Sequence, residues 1–194
     1  MYRLTLLGLL TALTLAAAKP TGNQSTAIDT HRSTITIHVG KSGLFSGAGH
    51  DHWVSAPITS GEIGETGARY VHFSVDAHKL KVKPDAKVNA NDEEQIQETM
   101  QQKVLESEKY PLIQFRSSSV AQTESGSWIV TGELTLHGVS KSIVVTVNQA
   151  GDAYSGSARI KQTDFGIKPV RAAGGAVRVK NELDVQFDIY AHPK

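Results

Sequence analysis

Residues 177–189 read Val177-Arg178-Val179-Lys180-Asn181-Glu182-Leu183-Asp184-Val185-Gln186-Phe187-Asp188-Ile189. Val177, Val179, Leu183, Val185, Phe187 and Ile189 fall on one side of an extended chain, and Arg178, Lys180, Asp184, Gln186 and Asp188 on the other. A period of two over 13 residues specifies a strand with one apolar and one wet face, longer than the usual five or six residues. Long amphipathic strands belong to antiparallel sheets that cover one face and hydrate the other.

Outward from this segment the same period recurs. Ile35, Ile37 and Val39 alternate with Thr34, Thr36 and His38, and Val71, Phe73 and Val75 with Tyr70, His72, Ser74 and Asp76. Ile113 and Phe115 share a face, as do Trp128, Val130, Leu134 and Leu136, with Gly132 interrupting the row. Ile143, Val145 and Val147 follow, then an alternation over 154–163. Residues 40–67 carry glycines at 40, 43, 47, 49, 61, 64 and 67, compatible with short strands or a wandering rim and not with one helix. The period changes once, over 91–107, where Asn91 caps a helix with Glu94 at the reciprocal position and Ile96, Met100 and Val104 form its apolar stripe. Tyr110-Pro111 ends it. The pattern is an all-β domain with one main helix, its antiparallel sheet curled into a barrel or paired as a sandwich. Pattern alone leaves open whether a barrel is solid or hollow.

The start of the chain reads as an export signal. Arg3 precedes an uncharged run, residues 4–18, that ends in Ala16-Ala17-Ala18 before Lys19. Its 15 residues are short for a bilayer crossing. The expected organisation is a signal peptide at 1–18, a flexible polar segment at 19–26 and one domain at 27–194, periplasmic or secreted. Asn23-Gln24-Ser25 matches a glycosylation sequon by coincidence of composition.

Charge and composition narrow the function. The chain has 20 basic and 19 acidic residues; removing 1–18 takes away Arg3 alone and leaves 19 of each. That balance, without arginine and aromatic interleaving, argues against a nucleic-acid partner. The absence of cysteine excludes disulfides, thiolate nucleophiles, iron–sulfur clusters and thiolate zinc sites. No nucleophile elbow, His-Glu-x-x-His helix, phosphate loop or dinucleotide fingerprint occurs, and Glu93 and Glu94 suit the first turn of a helix without any catalytic role. No enzyme activity, catalytic residue or cofactor is therefore expected.

Several segments in order resemble the YceI-like family of secreted bacterial polyisoprenoid-binding or lipid-binding proteins. They are Ile28-Asp29 with His31, Phe45-Ser46-Gly47, Tyr110-Pro111-Leu112-Ile113-Gln114-Phe115, the run from Gly132-Glu133-Leu134-Thr135-Leu136 through His137-Gly138-Val139-Ser140-Lys141, and Thr163-Asp164-Phe165-Gly166-Ile167. The resemblance covers roughly 27–192. It implies an extended lipocalin-like antiparallel barrel around a long apolar channel, with the helix beside or across one opening. The implied ligand is a polyprenyl chain, an isoprenoid quinone or another long-chain lipid, carried without chemical turnover. Ile35, Ile37, Phe73, Val75, Phe115, Trp128, Val145, Phe165, Phe187 and Ile189 are the candidate tail-holding residues. His50, His52 and His137 are the candidates for the head group or rim.

Gly49-His50-Asp51-His52-Trp53 departs from the plain family pattern. Two imidazoles at i and i+2 share a face of an extended chain. They suit a ligand head group, an ordinary rim or, with a remote third ligand such as His137, a metal; two histidines alone do not make a metal centre. Lys79, Lys81, Lys83 and Lys87, joined by Arg171 and Arg178, form a basic cluster whose first three members would share one extended face. It suits lipid phosphates and transient membrane-surface contact, or a solvated edge that discourages sheet aggregation. The competing functions are a solid-barrel structural or protein-interaction module and a His-dependent metal-binding protein. Oligomeric state is not legible.

Overall fold

The computed structural model describes residues 25–42, 51–172 and 177–191. The signal-peptide reading at 1–18, most of the polar segment at 19–26, His50 and Phe45-Ser46-Gly47 lie outside them. In chain order the strands are β1 (Ser25–Ala27), β2 (Thr34–Ser42), β3 (His52–Ser55), β4 (Ile58–Gly64), β5 (Tyr70–Asp76), β6 (Lys81–Val82), β7 (Leu112–Gln122), β8 (Trp128–Leu136), β9 (Val139–Ala150), β10 (Ala153–Lys161), β11 (Arg171–Ala172) and β12 (Val177–Tyr190). Helix α1 (Ala90–Thr99) is the α-helix among the described residues. All pairings are antiparallel, in the order β1-β4-β5-β7-β8-β9-β10-β12-β2-β3-β6, with β11 on β12.

The chain itself closes this sheet into a barrel. β3 and β4 are separated by two residues yet stand near opposite ends of the strand order, so the Ala56-Pro57 corner carries the chain across the gap, and Ala56 N–H donates to the Ile35 carbonyl (2.9 Å). After β1, Ile28 bridges to Ala191; its N–H donates to Gly61 of β4 (2.9 Å), and that of Asp29 donates to Tyr190 of β12 (2.8 Å). These contacts join β4 to β12 and remove an open edge. At the other end of the order, Gln97 of α1 accepts from the Val82 N–H (2.8 Å) and donates to the Leu80 carbonyl (3.0 Å), covering β6. Ser25 and Thr26, expected in the polar lead-in, are part of β1, and Thr26 is buried.

The long strands fall where alternation places them, with β12 running one residue further than the reading and carrying a bulge between Val179 and Leu183 in its pairing with β2. The glycine-rich 40–67 stretch resolves into the end of β2, β3 and β4 among the described residues.

The helix departs most from expectation. Its cap is Asn89, not Asn91: the Asn89 side chain accepts from the Asp92 N–H (3.0 Å) and donates to the Asp92 carboxylate (2.8 Å). The asparagine-x-x-acid spacing occurs twice, at 89/92 and 91/94, and the earlier start adds the Glu93 N–H to Asn89 carbonyl bond (3.0 Å). The α-helix also ends at Thr99, and residues Met100–Val104 form a π turn. The extra residue in that turn lets Val104 and Leu105 both face the barrel interior. Glu106 then leaves the helix with φ 45°, unusual outside glycine.

Candidate functional site

The barrel interior holds a cavity of ≈ 660 Å³, within the range of small-molecule sites. Alternate residues of nearly every long strand form its wall: Ile35, Ile37 and Val39 of β2; Val71, Phe73 and Val75 of β5; Ile143, Val145 and Val147 of β9; Val179, Leu183, Val185, Phe187 and Ile189 of β12. The outward residues between them are polar, apart from the exposed Val144. Many inward side chains, including Ile37, Phe73, Leu134, Ile143, Val185 and Phe187, are only half-buried, because no opposing side chain fills the space they face. In a solid barrel these positions would be fully covered.

Glycines make room for the aromatic rings along the wall. A β-carbon at Gly156 would come within 2.6 Å of the Phe187 ring, and one at Gly132 would strike the Phe115 ring. The rings therefore lie flat against neighbouring strands and leave the centre of the barrel open. Phe73 and Phe115 stack at 5.6 Å between centroids.

Nine of the ten candidate tail residues line this cavity: Ile35, Ile37, Phe73, Val75, Phe115, Trp128, Val145, Phe187 and Ile189. Phe165 does not. It is 1% exposed and belongs to the same buried core as Leu136 and Ile167, which line the cavity, in a turn that Gly166 closes with φ 75°. Its apolar type marked it as buried but said nothing of which space it faces.

The polar candidates separate. His52 lies on the cavity wall with Lys41 and Arg178, where β2 and β3 approach the start of β12; Asp92, Gln95 and Thr99 of α1 add polar groups. His137 stands apart from the wall, with its Nδ1 donating to the Phe165 carbonyl (3.3 Å) and its Nε2 bonded to the Glu106 carboxylate (2.6 Å). The Tyr110 ring lies 4.3 Å from its imidazole. His137, at φ 52°, and Glu106 thereby tie the β8–β9 turn to the end of the π turn, and both ring nitrogens have protein partners. Among the described residues no three histidine, aspartate or glutamate side chains converge to hold a metal. The basic cluster is not one extended face either: residues Ala77–Lys79 form a 3₁₀ turn, Lys81 lies in β6, and Lys83 donates to Thr36 (3.3 Å).

The opposite end of the cavity is lined by Trp128, a candidate tail residue, together with Arg69, Tyr70 and Tyr154, which the alternation of the sequence does not assign to a site. The Arg69 guanidinium sits 4.4 Å over the Trp128 ring. Tyr154 donates to Glu65 (2.9 Å) and Tyr70 to Glu62 (2.5 Å). Burial, reinforced by the Glu65 carboxylate, pushes the Tyr154 hydroxyl up to about 12, and the Glu62 bond pushes Tyr70 up as well. Both phenols thus stay protonated near neutral pH and spend their protons on protein carboxylates. The aromatic residues at strand ends are the available signal, but their acidic partners, Glu62 near the end of β4 and Glu65 in the β4–β5 connection, have no periodicity to reveal them.

The site is thus a long apolar chamber with polar groups at both ends and α1 across one of them. Comparison with known proteins agrees with this architecture. The chain is 29% identical over 152 residues to a UPF0312 protein of Pseudomonas savastanoi, covering 66% of this chain and 77% of the relative. It is 30% identical over 130 residues to one of Shewanella denitrificans, covering 59% and 68%. Among solved structures it is similar in fold to Burkholderia cenocepacia BcnA (TM-score 0.59, 18% identity, 85% of this chain and 99% of that one). A polyisoprenoid-binding domain from Saccharophagus degradans matches as well (TM-score 0.59, 14% identity, 87% and 98%). The family model for the YceI-like domain matches residues 27–191, nearly the whole span of the barrel, and the chain belongs to that family.

Proposed function

We propose that the protein binds and carries an isoprenoid-like amphiphile, a polyprenyl chain or an isoprenoid quinone, with the tail inside the barrel and without chemical turnover. We further propose that it works in the periplasm or outside the cell after removal of residues 1–18. The ≈ 660 Å³ apolar cavity carries this reading; the polyisoprenoid-binding domain of the same fold supports it. A prenyl tail makes no hydrogen-bonding demand, so it suits a wall of aliphatic and phenyl groups, each buried methylene contributing roughly 0.8 kcal/mol. Lys41, His52, Gln95 and Arg178 line the part of the cavity beside α1 where a polar head would lie. The unfilled interior speaks against the solid-barrel module.

The two tryptophans provide the test. Trp128 lines the cavity, whereas Trp53 is 41% exposed on β3. In a Trp53→Phe variant, a prenyl quinone with a geranyl tail is expected to quench Trp128 fluorescence saturably, with one quinone per chain at the endpoint. Linear, unsaturable quenching equal to that of free tryptophan would reject the reading.

A further inference from the structure

The barrel wall has a seam. β10 pairs with β12 along its whole length, from Ala153↔Tyr190 to Lys161↔Glu182, but with β9 only from Ala153↔Ala150 to Ser157↔Thr146. Beyond that point β9 runs back to Val139 bonded to β8, and β10 runs on to Lys161 bonded to β12. The two strands diverge until the Gln162–Phe165 turn, anchored by the buried Phe165, fills the gap between them.

Where the β9–β10 ladder stops, an outer groove and the inner cavity meet at the same residues. A groove on the outer surface there is lined by Val144, Thr146, Gly156, Ala158 and Phe187, among others, and Ala158 and Phe187 also line the interior cavity. The Ala158 methyl group and the Phe187 ring thus border both the outer groove and the chamber. The ring faces a glycine, so no side chain on β10 clamps it. The outer lip carries Val144, 63% exposed, and its neighbours Ile143 and Val145 face the chamber, which makes β9 apolar on both faces at this point.

The route past α1 is fastened. Leaving by it means breaking the Gln97 bonds to Val82 and Leu80, the Gln101 bonds to Leu80 and Ala77 (both 3.1 Å) and the His137–Glu106 contact. At the seam no backbone ladder has to break.

We propose that the β9–β10 seam is a lateral portal through which the apolar chain of the ligand enters and leaves the cavity, with the Phe187 ring as its movable inner wall. This rests on the carrier reading above. Continuing the Ser157↔Thr146 register would set Arg159 opposite Val144, both exposed and neither on the cavity wall. The chain has no cysteine, so a Val144→Cys, Arg159→Cys pair can be bridged uniquely with a short bis-maleimide. Stopped-flow quenching of Trp128 by the geranyl quinone then reads both rate constants. The bridge is expected to slow association and dissociation at least tenfold and leave Kd within about twofold, while each single-cysteine variant capped with a monomaleimide keeps the unbridged rates. Val144→Glu, which leaves the backbone unbridged, is expected to slow association severalfold and serves if the double variant folds poorly. Rates indifferent to the bridge and to Val144→Glu would overturn the portal alone. Absence of quenching in the unbridged protein would overturn the carrier reading and the portal with it.

Discussion

Ile37→Asp is expected to lower affinity for a prenyl quinone about a hundredfold while costing the fold little. Ile37 stands between Val54 and Val185 in the sheet register, and all three line the cavity. Its side chain is only half-buried because it faces open volume. In the empty protein a carboxylate at this position keeps water around it, so folding loses little beyond strand propensity, up to about 1 kcal/mol. When a tail enters, that water must leave and the charge meets only hydrocarbon, at a cost of about 3 kcal/mol or more; at 1.4 kcal/mol per tenfold this is the hundredfold loss. A quinone titration and a urea unfolding curve on the same sample separate the two effects. If the barrel were solid, the order would reverse: the unfolding midpoint would collapse and there would be no affinity to lose.

Phe165→Ala is expected to do the opposite. The ring is 1% exposed and absent from the cavity wall, packed in the core with residues such as Leu136 and Ile167 that do line it, so its truncation should cost about 3–5 kcal/mol of folding free energy. Quinone affinity of the folded fraction should stay within about threefold. Urea unfolding followed by far-ultraviolet circular dichroism checks the first part and equilibrium quenching the second. A large loss of affinity with unchanged stability would place Phe165 at the ligand after all.

These two substitutions mark where alternation in the sequence was informative and where it was not. Ile37 and Phe187 could be assigned to an inner face because a strand has only two faces and their neighbours Thr36, His38, Gln186 and Asp188 are polar. Phe165 lies in a 3₁₀ turn, where no period connects residue type to direction. The same limit hid β3 and β4: their few residues are interrupted by a corner and flanked by glycines, too short for a pattern to emerge. The helix was legible from its stripe, but a π turn keeps the same residues while adding one to the turn, so the inward position of Leu105 beside Val104 had no signature in sequence.

The polar site was least legible. His137 is a plausible rim residue by type, yet its partners Glu106 and the Phe165 carbonyl come from segments 31 and 28 residues away and are brought to it by the tertiary fold. Arg69, Tyr70 and Tyr154 belong to the cavity because three strand ends meet there, a consequence of closure and not of any local motif. Val144 is the instructive exception within a regular strand. An apolar residue on the wet face of β9 broke the alternation, and it lies where the ladder to β10 stops.

The proposed function requires the chamber to be a container. Native mass spectrometry of the protein purified from the cells that produce it, followed by solvent extraction and mass identification of what it carries, tests this directly. The expected result is one isoprenoid-like molecule per chain, lost when the protein is denatured. A protein that emerges empty and also takes up no prenyl quinone would contradict it.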